Sequence, residues 1–389
     1  MESIRIGMVG SGFIAHIHCR SYQKICGCEV VLAGLCSMDE ASAQELMAKY
    51  GFKKLYASLE EMLADLSLDM IDICTPPFLH LPMARKVLEA GKHVIIEKPL
   101  TGYFGDGQSG DIGKTTSRQE MLQDVVKQME EFGAFLKTCD KQLFYAENFI
   151  YAPSVVKSKE MLETTKSKIL LLKAEESHSG SHAFHAAYWK YTGGGSLIRQ
   201  GCHPLSAVLY LKMVENRARG EQFKVASVLG DMGNTIAGLP EAELKYIEAR
   251  PKDVEDCANV IVTFGDGTKA NIVACDMIVG GTKNFVEVYT PDSVHMCNIA
   301  PNDAMKVYHP AAEVAKELYL TEKVETKAGW QEVFLEEMLM RGYIGELQDF
   351  VECALTGRKP QSGFELGYES IKLIYAAYLS AEQGKRIEL

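Results

Sequence analysis

The chain has 389 residues, 47% of them hydrophobic and 24% charged, with a net charge of −11. That length exceeds what one compact core accommodates, so two domains are expected. The acidic balance, with no basic stripe, argues against nucleic acid or an anionic membrane surface as partner. No apolar run reaches membrane-spanning length either, so no membrane role is expected. The eleven cysteines include no CxxC pair. Several, such as Cys36 and Cys74, lie in apolar runs and read as buried thiols in a reducing compartment. A strand pattern begins almost at residue 1, which leaves no room for a signal peptide, and a cytoplasmic location is expected.

In chain order, the apolar run Arg5–Val9 ends in Gly10-Ser11-Gly12, and Ala15 holds the third small-residue position of a dinucleotide fingerprint. Gly10 permits a tight turn out of a strand, and Gly12 lets the backbone approach a pyrophosphate. Ala15 lets the next helix, opened by Phe13 and Ile14, pack closely with its N-terminus toward the phosphates. Further strand patterns at Val30–Leu35, Met70–Cys74 and His93–Ile96 alternate with helical ones at Ile14–Ile25, Ser42–Tyr50, Leu59–Leu66 and Leu81–Ala90. This order predicts a parallel sheet with right-handed crossovers. The second strand runs into Cys36-Ser37-Met38, so Ser37 stands where an acidic residue normally reads the ribose hydroxyls. No Lys or Arg lies between Leu35 and Ala48, and Asp39 and Glu40 would repel a phosphate. NAD is therefore expected rather than NADP.

Residues Gly102–Arg118 form a glycine-rich insertion that reads as a mobile surface loop or an active-site lid. Its Gly113-Lys114-Thr115 is not a P-loop, because Gln108 replaces the required glycine and no apolar strand precedes it. A helix over Gln119–Thr138 and a strand over Gln142–Tyr145 complete a first domain, placed at residues 1–147. The remainder, 148–389, reads as an α/β domain with an open, largely antiparallel sheet. Its strands are expected at Lys168–Glu175, Lys224–Leu229, Ala258–Phe264, Lys269–Asp276 and Asn284–Tyr289, with closing helices at Glu346–Leu355 and Gly367–Glu382.

Three motifs carry chemistry. Thr75-Pro76-Pro77 ends a buried strand at the carboxyl edge of the sheet, where such folds place ligands, with His80 at the following helix start. Glu97-Lys98-Pro99 closes another buried strand and delivers a lysine to its tip. Gly193–Gly195 precedes a predicted helix on which Arg199 and His203 share one face at i and i+4. A near-neutral imidazole suits removal of a hydroxyl proton.

Together the blocks GMVGSGFIAHIH, DICTPPFLH, HVIIEKPL and GGGSLIRQGCH resemble the glucose-fructose oxidoreductase/inositol dehydrogenase family, Gfo/Idh/MocA, and the likeness extends to the closing ELQDFVECALTGRKP. The resemblance implies a Rossmann domain, a C-terminal open-sheet domain that dimerises or tetramerises, and a pyridine nucleotide between them. It implies oxidation or reduction of a carbinol carbon on a sugar, cyclitol or glycoside, with Lys98 and His203 catalytic. Gly10, Gly12, Phe13, Ile14, Ser37, Thr75, Pro76, Pro77, His80, Glu97 and Lys98 are expected at the cofactor. One departure concerns Arg199, which stands where the family usually has an aspartate. It can hold His203 neutral or bind an oxygen-rich substrate group. Asn148, beside Glu147 at the domain junction, is also expected at the substrate. So are Tyr188, Trp189, His178 and His182; with His185, the last two histidines read as a polyol-binding wall rather than a metal site, and no metal is expected. A redox glycosidase that keeps its NAD, and a non-catalytic nucleotide-sensing regulator, are the rival readings.

Overall fold

The computed structural model describes residues 2–105, 107, 110–181, 183–300 and 305–389. The first layer is built from β1 (Ser3–Val9), α1 (Phe13–Tyr22), β2 (Glu29–Cys36), α2 (Glu40–Tyr50), β3 (Lys54–Tyr56), α3 (Leu59–Leu63) and β4 (Met70–Ile73). It continues through α4 (His80–Glu89), β5 (His93–Glu97), α5 (Ile112–Thr115), α6 (Arg118–Leu136) and β6 (Leu143–Ala146). The six strands are parallel in the order β3-β2-β1-β4-β5-β6, the doubly wound arrangement in which the order of strand addition switches direction between β1 and β4. Every residue of β4 and β5 is buried, as a sheet covered on both faces requires.

The second half contains α7 (Pro153–Thr165), β7 (Leu171–Ser177), α8 (Trp189–Thr192), α9 (Ser196–Arg199), α10 (Cys202–Arg219), β8 (Val225–Gly233), β9 (Cys257–Phe264) and β10 (Lys269–Cys275). It ends with β11 (Lys283–Tyr289), β12 (Val294–Ala300), β13 (Lys306–His309), β14 (Gly329–Glu332), α11 (Glu337–Met340), α12 (Tyr343–Thr356), α13 (Phe364–Gln383) and β15 (Ile387–Glu388). Its seven-stranded sheet runs β12-β11-β7-β10-β9-β8-β15, antiparallel except between β7 and β10. Along β7 the residues Leu172, Ala174 and Glu176 point inward while Lys173 and Glu175 stand outward. That alternation places Glu176 at the end of an otherwise apolar row. Helices α12 and α13 return to pack on α1 and α6, so the two halves share one apolar core.

Two expectations change here. The segment after the glycine triplet is not one helix: α9 stops at Arg199 and α10 starts at Cys202. A side chain at Gly201 would press on the Leu197 carbonyl and come within 2.8 Å of the Ala274 methyl. The glycine thus lets the chain turn against β10, and Arg199 and His203 do not share a helix face. The described part of the 102–118 insertion is also not a loose loop. Tyr103 donates its N–H to the Tyr375 hydroxyl at 2.6 Å, Ile112 is buried, and the Gly113 N–H donates to Asp253 at 3.0 Å. The Arg118 guanidinium lies 4.0 Å from the Trp189 ring centre. These contacts pin the strap to the second half of the chain; Asp106, Gln108 and Ser109 lie outside the described residues.

Candidate active site

The glycine turn combines one crowded position with one open position. Gly10 has φ +103°, its N–H donates to the Cys36 carbonyl at 2.8 Å, and any side chain there would fall on the Cys74 carbonyl. Gly12 faces open space, with nothing within 4 Å of where a Cβ would sit. It is also the N-cap of α1, where no side chain caps the helix and no acid occupies the first turn. The free N–H groups and positive end of a ten-residue helix therefore face that space, as a pyrophosphate requires. Phe13 stands exposed beside it, Ile14 is half-buried, and Ala15 is fully buried against the sheet. Ser37, at the end of β2, shares a 2.7 Å hydrogen bond with Ser11, while Asp39 caps α2 by accepting from Ser42. These residues fit a dinucleotide.

The loops after β4 and β5 are joined by His80. Its fully buried ring contacts the Pro99 carbonyl at 2.8 Å through Nδ1 and the Thr75 carbonyl at 2.9 Å through Nε2. His80 thus holds the two strand-tip loops together from behind, while Thr75, Pro76 and Pro77 stay accessible. Beneath them His18 bridges two carboxylates, Asp72 at 2.8 Å and Glu97 at 3.0 Å. Burial disfavours charge on this imidazole, but Asp72 and Cys74 outweigh it and raise its pKa well above the usual value. Glu97 also accepts the backbone N–H of Lys98 at 2.9 Å. A buried charged network therefore sets the backbone that presents Lys98.

Lys98 directs its Nζ to the Arg199 carbonyl at 2.8 Å. Burial opposes its charge, but Cys202, Glu97, Glu176 and Glu147 more than compensate, so its pKa is raised and it remains an ammonium donor. His203 at the start of α10 places Nδ1 2.6 Å from Glu147 Oε1, and Phe149 stacks on the ring at 4.7 Å. Burial pushes His203 down to about 3, and the Lys98 charge acts in the same direction. Burial pushes Glu147 up to about 8, against the pull of the Lys98 ammonium. Among the described residues, His203 Nε2 has no hydrogen-bond partner. Arg199 turns away from His203 and pairs with Asp276, which follows β10.

Among the described residues, the remaining expected site residues are each engaged by neighbours of their own. Asn148 donates its side-chain amide to the Arg341 carbonyl at 2.8 Å, bracing the junction. Trp189 is buried among Tyr375, Tyr378 and Arg118. Tyr188 is half-buried and packs edge-on against Tyr191. His178 accepts the Gly180 N–H at 2.9 Å, and burial with nearby Lys323 and Arg199 lowers its pKa to about 3. His185 is exposed, and His182 lies outside the described residues.

Sequence reasoning missed Glu147 as the partner of the imidazole, and it missed Asp276, Glu176 and Asn284. Glu176 and Asn284 are directly paired across β7 and β11, 3.4 Å apart at their side chains, each with a buried oxygen left unpartnered. The Lys98 and Arg341 charges act on Glu176 against the burial that pushes its carboxyl up. Glu147, Cys202 and His203 also bring donor atoms within 4.8 Å of one another. In two of these, His203 Nδ1 and Glu147 Oε1, the donors are already spent on each other, which makes the group a hydrogen-bonded pair.

Residues 4–110 match the description "Oxidoreductase family, NAD-binding Rossmann fold", and residues 167–292 match the "GFO/IDH/MocA C-terminal domain". The chain belongs to the Gfo/Idh/MocA family. Among its relatives is the myo-inositol 2-dehydrogenase of Thermotoga maritima, 24% identical, with 99% of this chain and 98% of the relative aligned. A levoglucosan dehydrogenase from Pseudarthrobacter phenanthrenivorans is 25% identical over 79% of this chain and 76% of its own. Solved structures with the same fold include two with a bound nicotinamide cofactor. GenD2 from gentamicin A biosynthesis, in complex with NAD, superposes with TM-score 0.77 at 21% identity, covering 100% of this chain and 97% of that one. A levoglucosan dehydrogenase in complex with NADH and L-sorbose gives 0.74 at 18% identity, covering 100% and 99%. Residues 4–110 are an NAD-binding Rossmann segment, and no helix among the described residues is long and apolar enough to cross a membrane.

Proposed function

We propose that this oxidoreductase transfers hydride between NAD and a secondary hydroxyl or ketone of a neutral polyol, in the class of sugars, cyclitols and glycosides. The observation that carries the reading is the pairing of a cationic Lys98 with a carboxylate-linked, uncharged His203 at the mouth of the Rossmann sheet. Bound NAD supplies the hydride acceptor. The backbone of Gly10–Ile14 would hold its pyrophosphate, Ser37 its ribose, and Thr75, Pro76 and Pro77 would wall its nicotinamide.

The protein's own groups handle the hydroxyl proton. Lys98 donates to the substrate oxygen and favours its alkoxide character, and His203 Nε2 takes the proton as the carbonyl forms. Glu176 and Asn284 offer free acceptors to neighbouring hydroxyls. Among the described residues, Arg199 is paired with Asp276, and Arg341 with Glu322 and Glu337, so each of these two guanidiniums already has a carboxylate beside it. This favours a neutral, oxygen-rich substrate over an acidic one. The test is a nicotinamide-absorbance screen over sugars, cyclitols, glycosides and sugar acids, with product mass measured alongside. NADH formation with a product two hydrogens lighter supports the reading. Aglycone release without net NADH, or preference for sugar acids, overturns it.

A further inference from the structure

The base proposed above needs one particular tautomer, and the chain's unusual Arg199 leaves open what enforces it. We propose that Glu147 is the positioning residue for His203, taking over from the end of the last Rossmann strand the task the family gives to an aspartate four residues before the histidine. This rests on the oxidoreductase reading for its consequence and on geometry for its substance.

Glu147 Oε1 lies 2.6 Å from Nδ1, with both groups buried. The carboxylate is itself held by the Phe149 N–H at 3.4 Å, and the Phe149 ring stacks within 13° of the imidazole plane. One short segment, 147–149, therefore fixes the histidine by a hydrogen bond along its edge and by a ring across its face. An ionised carboxylate only accepts, so Nδ1 must carry the proton and Nε2 keeps its lone pair toward the cleft. The position-199 side chain cannot do this, because the turn at Gly201 separates α9 from α10 and Arg199 is committed to Asp276. When Nε2 takes the substrate proton, the imidazolium forms beside a carboxylate already in place, which lowers the cost of that charge.

The groups facing the pair give it a pH dependence. Lys98 and Glu97 act from β5 and its loop, Glu176 from β7, Cys202 from α10, Tyr145 from β6, and Arg341 and Glu346 from the α12 side. Protonated Glu147 would instead donate to Nδ1, move the remaining proton to Nε2 and abolish the base. Polyol oxidation should then fall as pH drops through the apparent pKa of the pair, near the value of about 8 to which burial lifts Glu147.

The experiment compares wild type, Glu147→Gln and Glu147→Asp by nitrogen NMR of ¹⁵N-histidine-labelled protein, with His203→Asn assigning the resonance. NAD titration checks that each variant is folded. In wild type at alkaline pH, Nδ1 should be protonated and Nε2 bare. Glu147→Gln should lose that bias and lower kcat by at least about a hundredfold, with KM nearly unchanged and the limb near pH 8 gone. Glu147→Asp should keep the tautomer and recover much of the rate; if the Gln variant does not fold, the Asp variant still tests the tautomer. A protonated Nε2 in alkaline wild type, or a Gln variant with native tautomer and native kcat, overturns the proposal. The tautomer is read without substrate, so failure to find a polyol substrate would sink the oxidoreductase reading and leave this one standing.

Discussion

Substituting the two glycines of the turn should separate folding from cofactor binding. At Gly10 an alanine must hold φ +103°, and its Cβ would fall on the Cys74 carbonyl oxygen and within 2.9 Å of the carbonyl carbon. The backbone cost alone is about 1–2 kcal/mol, and displacing the end of β4 adds to it. A total of at least about 2 kcal/mol corresponds to a fall in Tm of roughly 4–8 °C for a domain of this size. At Gly12 the φ of −79° suits any residue and the Cβ meets no atom within 4 Å, so Gly12→Ala should melt like wild type. The added methyl would occupy the approach to the pyrophosphate, and NAD should bind at least tenfold more weakly, about 1.4 kcal/mol. Thermal unfolding monitored by circular dichroism and calorimetric NAD titration read the two effects separately. If Gly12→Ala binds NAD as wild type does, this turn does not cradle the phosphates and the cofactor placement fails.

Lys98→Ala should lower turnover at least about a hundredfold, the usual scale of a positioned proton-handling group. NAD affinity, set by the glycine turn and Ser37, should change far less; equal losses in both would make Lys98 a cofactor anchor. Calorimetry should also show NAD bound more tightly than NADP, because Ser37 is engaged with Ser11 and Asp39 sits next to the ribose position. Tighter NADP binding would mean that a distant cation reaches the 2′-phosphate.

The parts of this protein written in local pattern were readable in its sequence. The strand–glycine–helix unit at Arg5–Ile17 and the fully buried β5 with its apolar Val94–Ile96 centre carry their meaning within a few residues, and both form as expected. Strand β12 escaped because its alternation is disguised. His295 occupies an inward position, where a 2.7 Å hydrogen bond to Ser158 makes a polar residue tolerable. The break between α9 and α10 was equally hidden, since Gly201 is required by the Ala274 methyl on β10, a contact across 73 positions that periodicity does not register. Glu147 was the hardest to read. Its role depends on a histidine 56 residues away, and only the meeting of β6 with α10 brings them together. The family pattern pointed to position 199, and there the structure shows an arginine paired with Asp276.

The central claim is that this site moves a hydride from a polyol carbon to NAD. The direct measurement uses a polyol found active in the absorbance screen, deuterated at the oxidised carbon, with the recovered cofactor analysed by mass spectrometry and NMR. The account predicts one deuterium at C4 of the nicotinamide, with transfer strongly reduced in Lys98→Ala and in His203→Ala. Product formed with no deuterium in the cofactor, or label transfer undiminished in both variants, would contradict it.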